Sequence, residues 1–187
     1  MADTKHQFEV VTNICRELFA KKLKDYGAAW RILRPQSVTD QILIKAKRIR
    51  SIEEKGVSLI NEGVASEFIG IVNYGIIGLI QLELGFSDSV DIKEDAVLSL
   101  YDRFMKDTTE LMYAKNHDYD EAWRSMRISS YTDLILTKIY RTKQIEENKG
   151  NTLVSEGIDA NYMDMINYSL FALIKLNFED EEADCNS

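Results

Sequence analysis

An internal duplication constrains the fold of this 187-residue chain more than any other feature of its sequence. The segment K-L-K-D-Y-G-A-A-W at residues 22–30 is answered, 93 residues later, by K-N-H-D-Y-D-E-A-W at 115–123. The same offset, held over residues 22–56, gives 17 identities in 35 positions. After a one-residue insertion the offset becomes 94 and pairs N-Y at 73–74 with N-Y at 167–168. The chain is therefore predicted to be a tandem duplication.

Each repeat is predicted to contain three helices, because apolar residues recur at the three- and four-residue spacing of an amphipathic helix. The first helix shows this pattern at Phe8, Val11 and Phe19. The third helix, which starts near Glu62 or Glu156, is apolar over most of its circumference and is expected to be central. A single proline and 9 glycines fit a chain of long helices.

The predicted fold class is all-α, a tandem duplication of a three-helix unit packed as one pseudo-twofold helical bundle. The two repeats span residues 1–84 and 91–178, joined by a short polar connector, and form one compact domain. Residues 179–187 are acidic and without periodicity, and are expected to be a disordered tail.

Helix two of each repeat is predicted to begin at an S-x-x-D pattern. The pair is Ser37 and Asp40 in the first repeat and Ser130 and Asp133 in the second. A serine and an acid at this spacing form a capping box. We therefore assign both aspartates to folding.

Composition and motifs exclude several classes of function. The formal charge of −8 opposes binding to the phosphates of duplex nucleic acid. No signal sequence or membrane span is evident, so we expect a cytoplasmic protein without a membrane partner. The chain lacks G-x-S-x-G, H-E-x-x-H and G-x-x-x-x-G-K-[ST], and its 2 cysteines are too few for a disulfide framework. The duplication can replace a homodimer or extend it to a homo-oligomer.

A stripe of polar residues on the third helix of the second repeat is a candidate metal site. At about 100° per residue, Glu156, Asp159, Asp164 and Asn167 share one side of an otherwise apolar helix. Buried carboxylates need a compensating cation, and oxygen ligands suit Mg²⁺ or Mn²⁺. Alternatively, Glu156 and Asp159 favour the helix N-terminus, which leaves the other two unexplained. The predicted metal ligands are Glu156, Asp159, Asp164, Glu62 and Glu67.

The first repeat lacks part of this stripe. Ala65 and Gly70 replace the equivalents of Asp159 and Asp164. We therefore expect one full site in the second repeat and one depleted site in the first.

Two basic pairs recur on helix two, and each allows two interpretations. The pairs are Lys45 with Arg48 and Lys138 with Arg141, at the i, i+3 spacing of a shared face. They could extend from the bundle edge and pair with helical acids such as Glu146. They could instead neutralise the phosphates of a small nucleotide.

Two aromatic pairs follow the end of helix one. Tyr26 with Trp30, and Tyr119 with Trp123, could be core residues that tie a loop to the bundle. The functional alternative is a stacking platform for a base.

Taken together, the motifs K-x-x-D-Y-x-x-A-W, K-x-x-R, E-x-x-D and D-x-x-N-Y resemble the nucleotide-modification-associated domain 1 family, which is all-helical. The resemblance covers nearly the whole chain, as two copies. That family is distantly similar to MazG-like all-α nucleoside triphosphate pyrophosphohydrolases, in which carboxylates hold Mg²⁺ and water attacks the phosphate chain. The resemblance implies that Glu156 and Asp159 match half of the MazG-like acidic motif. Lys138 and Arg141 stand where its other half would lie.

The leading hypothesis is a Mg²⁺-dependent (d)NTP pyrophosphohydrolase that acts on canonical or modified small-molecule nucleotides. Glu156, Asp159 and Asp164 would bind the metal and orient water. The basic pairs would stabilise charge on the phosphates, and Asn167 and the aromatic residues would hold the substrate. The alternative is a noncatalytic helical module that binds a nucleotide or a protein partner, supported by the missing acidic motif and the depleted first repeat.

Overall fold

The chain folds as two equivalent sets of three helices. The computed structural model describes residues 3–56 and 63–184, with side chains up to residue 178. The helices are α1 (Thr4–Tyr26), α2 (Pro35–Lys55), α3 (Val64–Leu84), α4 (Glu94–Tyr119), α5 (Ile128–Glu147) and α6 (Ile158–Asp184). A single 3-10 turn, at Ala29–Ile32 and at Ala122–Ser125, separates the first two helices of each repeat. The described residues contain no strand, and the predicted all-α fold is confirmed.

The third helices of the two repeats, α3 and α6, pack against each other at the centre of the bundle. Helix α2 covers α3, α5 covers α6, and α2 and α5 pack on each other. Helices α1 and α4 each contact both central helices. The predicted central position of the third helix is therefore correct, and its apolar residues, including Ile71, Ile76 and Ile80 on α3 and Ile166 and Leu170 on α6, are fully buried.

Two glycines of α3 allow this close approach. A Cβ at Gly75 would lie 2.5 Å from Cγ1 of Ile166, and one at Gly78 would lie 2.8 Å from the ring of Tyr162. No side chain larger than hydrogen fits at either position without a shift of α6. The glycines thus set the distance between the two repeats.

The interface between α2 and α5 shows the pseudo-twofold symmetry directly. The Thr39 hydroxyl donates to Oε1 of Glu146 at 2.7 Å, and the equivalent Thr132 hydroxyl donates to Oε1 of Glu53 at 2.7 Å. Each bond joins one repeat to the other. Because both partners lie 93 residues from their counterparts, the two repeats pack as one bundle.

The predicted capping boxes are wrong. Helix α2 begins at Pro35 and α5 at Ile128, so Ser37 and Ser130 already lie inside the first turn and cap nothing. Pro35 opens α2 because its fixed φ suits the first helical position. The acids instead reach the opposite repeat: Lys143 donates to Asp40, and Arg50 lies 4.0 Å from Asp133.

Helix α3 is long and apolar enough to cross a membrane, with a mean hydropathy of 1.4 over its most apolar stretch. Of that stretch, 61% is buried inside the protein, as in the core helix of a soluble protein. The cytoplasmic location stays a prediction. Helix α6 continues to Asp184, so the backbone of residues 179–184 is helical. We expected a disordered tail over 179–187, of which residues 185–187 lie outside the described residues.

Candidate functional site

Each repeat encloses a cavity between its first helix, its 3-10 turn and its third helix. The first cavity has a volume of about 420 Å³ and the second about 470 Å³, within the range of small-molecule sites. Residues that are identical in the two repeats line both. They are Lys22, Tyr26, Ala29, Trp30, Lys45, Asn73 and Tyr74 in the first cavity, and Lys115, Tyr119, Ala122, Trp123, Lys138, Asn167 and Tyr168 in the second. The retained motifs, separated in sequence, therefore meet around one cavity in each repeat.

The 3-10 turn that carries each tryptophan is anchored to the third helix. Gln81 on α3 donates to the backbone carbonyl of Leu33 at 2.6 Å. Its equivalent on α6, Lys175, donates to the carbonyl of Met126 at 2.6 Å. These bonds satisfy carbonyls that a 3-10 turn leaves unpaired, and they hold the cavity wall in place.

In each aromatic pair the tryptophan is buried in the core and the tyrosine is exposed at the edge of the cavity. Trp30 and Trp123 are buried, and the Trp123 ring is stacked on Phe171 with centroids 4.5 Å apart. Tyr26 and Tyr119 are 57% and 71% exposed at the cavity mouths. The tryptophans therefore serve as core residues, while the tyrosines keep a ring face available for stacking.

The two retained asparagines bind the third helix to the first. Asn73 Nδ2 donates to the carbonyl of Cys15 at 3.1 Å, and Asn167 Nδ2 donates to that of Thr108 at 3.0 Å. Asn73 Oδ1 also accepts from the Tyr101 hydroxyl at 2.7 Å. Asn167 Oδ1, equally buried, has no hydrogen-bond partner among the described residues. The amide group of Asn167, predicted to bind substrate, thus has a packing role through its nitrogen.

In the second cavity two lysines hold one carboxylate. Lys115 Nζ donates to Asp164 Oδ1 at 2.9 Å, and Lys138 Nζ lies 2.7 Å from Oδ2. The Asp164 side chain is 9% exposed. Partial burial by itself would lower the pKa of Lys115, but the hydrogen bond to Asp164 and the negative charges of Asp164 and Glu156 together raise that pKa above its ordinary value. Asp164 is therefore neutralised by the protein's own cations.

Of the other predicted metal ligands that the structure describes, only Glu156 shares the second cavity with Asp164. Glu156 lies before the start of α6 and lines the second cavity. Asp159 lines a different surface, with Leu79. Glu67 is paired within the first repeat, and Glu62 lies outside the described residues.

The described members of this donor set do not form a group that fits a Mg²⁺ ion. Within residues 3–56 and 63–178, no three His, Cys, Asp or Glu side chains form a group that could hold a metal. The one buried carboxylate of the second cavity already accepts from two ammonium groups. Asp159 and Asp164 lie on different faces of α6, and Glu156 precedes the helix, so the stripe does not bring these three carboxylates together. A Mg²⁺ or Mn²⁺ cofactor stays a prediction.

In each basic pair the lysine lines the cavity and the arginine does not. Arg48 Nη1 lies 2.5 Å from Glu67 Oε1, and Lys45 Nζ lies 3.6 Å from Oε2. The Lys45 ammonium also sits 5.6 Å from the centre of the Tyr74 ring. In the second repeat Lys138 turns to Asp164, and Arg141 lies with Lys138 on an adjoining surface.

Sequence reasoning missed Lys115, Tyr74 and Tyr168 as site residues. Each is identical in both repeats, and that signal could have found them. It was not decisive, because identity between repeats marks folding and binding residues alike.

The fold and its paired cavities define a duplicated all-α protein with one equivalent cavity in each repeat. The family model for nucleotide modification associated domain 1 matches residues 22–82 and again residues 115–176. The chain belongs to this family and carries two copies of the domain. No curated protein and no solved structure gives a significant match.

Proposed function

We propose that this protein binds a nucleoside phosphate in a cavity between the first and third helices of a repeat. One observation carries the proposal: the residues retained in both repeats converge on the cavities and supply both kinds of contact a nucleotide needs. Lysines attract phosphate, and an exposed tyrosine at the mouth offers a face for a base. The family's description, which links this domain to nucleotide modification, agrees with such a ligand.

The charge of the cavity supports a phosphate ligand in a protein of net charge −8. Lys22 and Lys45 line the first cavity. Within the described part of the chain, Lys22 forms no ion pair, so its ammonium group is available to an anion. A local cationic site in an acidic protein favours a small anion over a polyanionic duplex.

The experiment is a calorimetric titration with ATP, adenosine and pyrophosphate, comparing wild type with Lys22→Gln. We expect ATP to bind more tightly than adenosine or pyrophosphate, and Lys22→Gln to weaken it at least about tenfold, the worth of one charged contact. Lys24→Gln is the matched control, because it removes the same charge from an exposed position on α1 that does not line the cavity. Equal weakening by both variants, or ATP that binds no better than pyrophosphate, would contradict the proposal.

Metal-dependent pyrophosphate release stays a prediction, and the same protein tests it. Wild type and Asp164→Asn are incubated with canonical and modified (d)NTPs and Mg²⁺ or Mn²⁺, and pyrophosphate is measured. Release that disappears in Asp164→Asn would establish hydrolysis at the second cavity despite the lysine contacts. Nucleotide binding without release would identify a noncatalytic binding module.

A further inference from the structure

The two cavities differ at a position beside their lysines. The second cavity is also lined by Glu156, whose counterpart Glu62 lies outside the described residues. Asp164 on α6 corresponds to Gly70 on α3, 94 residues earlier. In the second cavity the lysine pair, Lys115 and Lys138, closes on the Asp164 carboxylate at 2.9 and 2.7 Å. The carboxylate therefore occupies the place between two ammonium groups, and it belongs to the chain itself.

In the first cavity the corresponding place holds no acid. A Cβ at Gly70 would lie 2.8 Å from Cδ and Cε of Lys45 and 3.1 Å from its Nζ, so the lysine runs directly over the glycine. Among the described residues that line this cavity there are two lysines, Lys22 and Lys45, and no carboxylate. Glu67, which does not line the cavity, is shared between Lys45 and the closer Arg48.

A carboxylate and a phosphate present the same chemistry to a lysine pair, because each accepts charge-assisted hydrogen bonds through two oxygens. A cavity that already holds a carboxylate there would force a phosphate against a like charge in a partly buried setting. A cavity with glycine at that position leaves the lysines to an external anion.

We propose that the first cavity takes the phosphate group between Lys22 and Lys45, where Asp164 stands in the second cavity, and that the second cavity takes none because Asp164 fills it. This rests on the proposed nucleotide-binding function and narrows it to one phosphate site per chain. It also reverses the expectation that the second repeat carries the full site. On this interpretation, the glycine that replaces the aspartate in the first repeat leaves its lysines accessible to a phosphate.

The test counts binding sites for inorganic pyrophosphate by calorimetry at low ionic strength. We expect one site in wild type and two in Asp164→Ala, which removes both the charge and the bulk. Asp164→Asn removes the charge but keeps the bulk, so any second site in this variant should be weaker than in Asp164→Ala. Gly70→Asp should weaken pyrophosphate binding at the first cavity at least tenfold, because it places a carboxylate beside Lys45. The variant should still fold, since the added side chain meets only the flexible end of Lys45.

Two further variants control this test. Gly63→Asp adds the same charge at the start of α3, where nothing lies within 4 Å, and should leave binding unchanged. Adding Lys115→Gln to Asp164→Ala should remove the new site alone. The gained site cannot arise from unfolding, so the test survives even if Gly70→Asp is unstable.

Two sites in wild type, one site in folded Asp164→Ala, or no pyrophosphate binding in either would overturn the inference. Its failure can be separated from that of the proposed function by titrating ATP. ATP that binds Gly70→Asp as tightly as wild type overturns the inference and leaves nucleotide binding in place. If the numbers of pyrophosphate sites are as expected but ATP binds no more tightly than pyrophosphate, the phosphate site is supported and nucleotide recognition is contradicted.

Discussion

The hydroxyl of Tyr101 donates to Oδ1 of Asn73 at 2.7 Å and so joins the second repeat to the first through a fully buried hydrogen bond. The symmetry-related position opposite Asn167 holds Phe8, which has no hydroxyl, and Asn167 Oδ1 is left without a partner among the described residues. Of the two symmetry-related positions, the structure therefore shows this bond at Asn73 and not at Asn167.

Restoring the missing hydroxyl with Phe8→Tyr should stabilise the fold by about 0.5–1.5 kcal/mol, the net worth of a buried hydrogen bond. Removing the existing one with Tyr101→Phe should cost about 1–3 kcal/mol, because it leaves Asn73 Oδ1 unsatisfied. Urea unfolding of both variants measures the two effects. A destabilised Phe8→Tyr would mean that the ring edge does not face the amide oxygen.

The two glutamates of the α2–α5 interface predict a pH dependence. Partial burial raises the pKa of Glu53 and of Glu146 above the ordinary value, although the threonine bonds act in the opposite direction. A carboxyl with a raised pKa in the folded state favours folding at low pH, and that contribution is lost as the pH rises through the raised pKa. At neutral pH both carboxylates therefore oppose folding.

The double variant Glu53→Gln/Glu146→Gln should be more stable than wild type at pH 7, by less than about 1 kcal/mol because solvent screens half-exposed carboxylates. The difference should shrink towards pH 4, and urea unfolding across that range checks it. Glu54→Gln/Glu147→Gln, at exposed neighbouring positions, is the control. A variant that gains nothing at pH 7 would show that the threonine bonds outweigh burial.

The close approach of α3 and α6 predicts a steric effect at Gly75. An alanine there would place its Cβ 2.5 Å from Cγ1 of Ile166, so Gly75→Ala should cost about 1–3 kcal/mol. Adding Ile166→Ala should make the two costs less than additive, because the smaller side chain relieves the clash. Gly63→Ala, with open space around it but at the N-cap of α3, should cost only about 0.5–1 kcal/mol, from weaker capping and without a clash. Thermal unfolding of this set distinguishes local crowding from the general effect of replacing glycine.

Tyr26 should contribute to base recognition and not to phosphate binding. Tyr26→Leu should weaken the binding of ATP by about 1–3 kcal/mol, the usual contribution of base stacking, and leave the binding of pyrophosphate unchanged. Tyr119→Leu is the matched control, since Tyr119 is the exposed counterpart of Tyr26 but lies at the cavity that contains Asp164. Calorimetry with both ligands measures this. Loss of pyrophosphate binding in Tyr26→Leu would assign the residue to folding of the cavity instead.

The helices and the duplication were predictable because both are local properties. Burial of Phe8, Val11 and Phe19 on one side of α1 follows from their spacing alone. The start of α2 was predicted less well, since S-x-x-D also occurs inside a helix and Pro35 provides a better first residue.

The candidate site was predictable in its residue types and not in its partners. Asp164 was correctly predicted to lie on a buried face. The sequence suggested a metal ion as its partner and gave no sign that two lysines bind this carboxylate. Lys115 lies 49 residues from Asp164 along the chain, and nothing local links them. The partner of a buried charge depends on which helix faces meet.

By itself, the sequence determined that this protein is a duplicated helical bundle with two sets of equivalent residues, because periodicity and repetition act over a few residues or a constant offset. Only the tertiary structure decided that Asp164 forms ion pairs with Lys115 and Lys138, whereas Gly70 provides no carboxylate to Lys22 and Lys45. The physical reason is that each ion pair depends on the packing of α4, α5 and α6, or of α1, α2 and α3, and that packing is a property of the whole bundle.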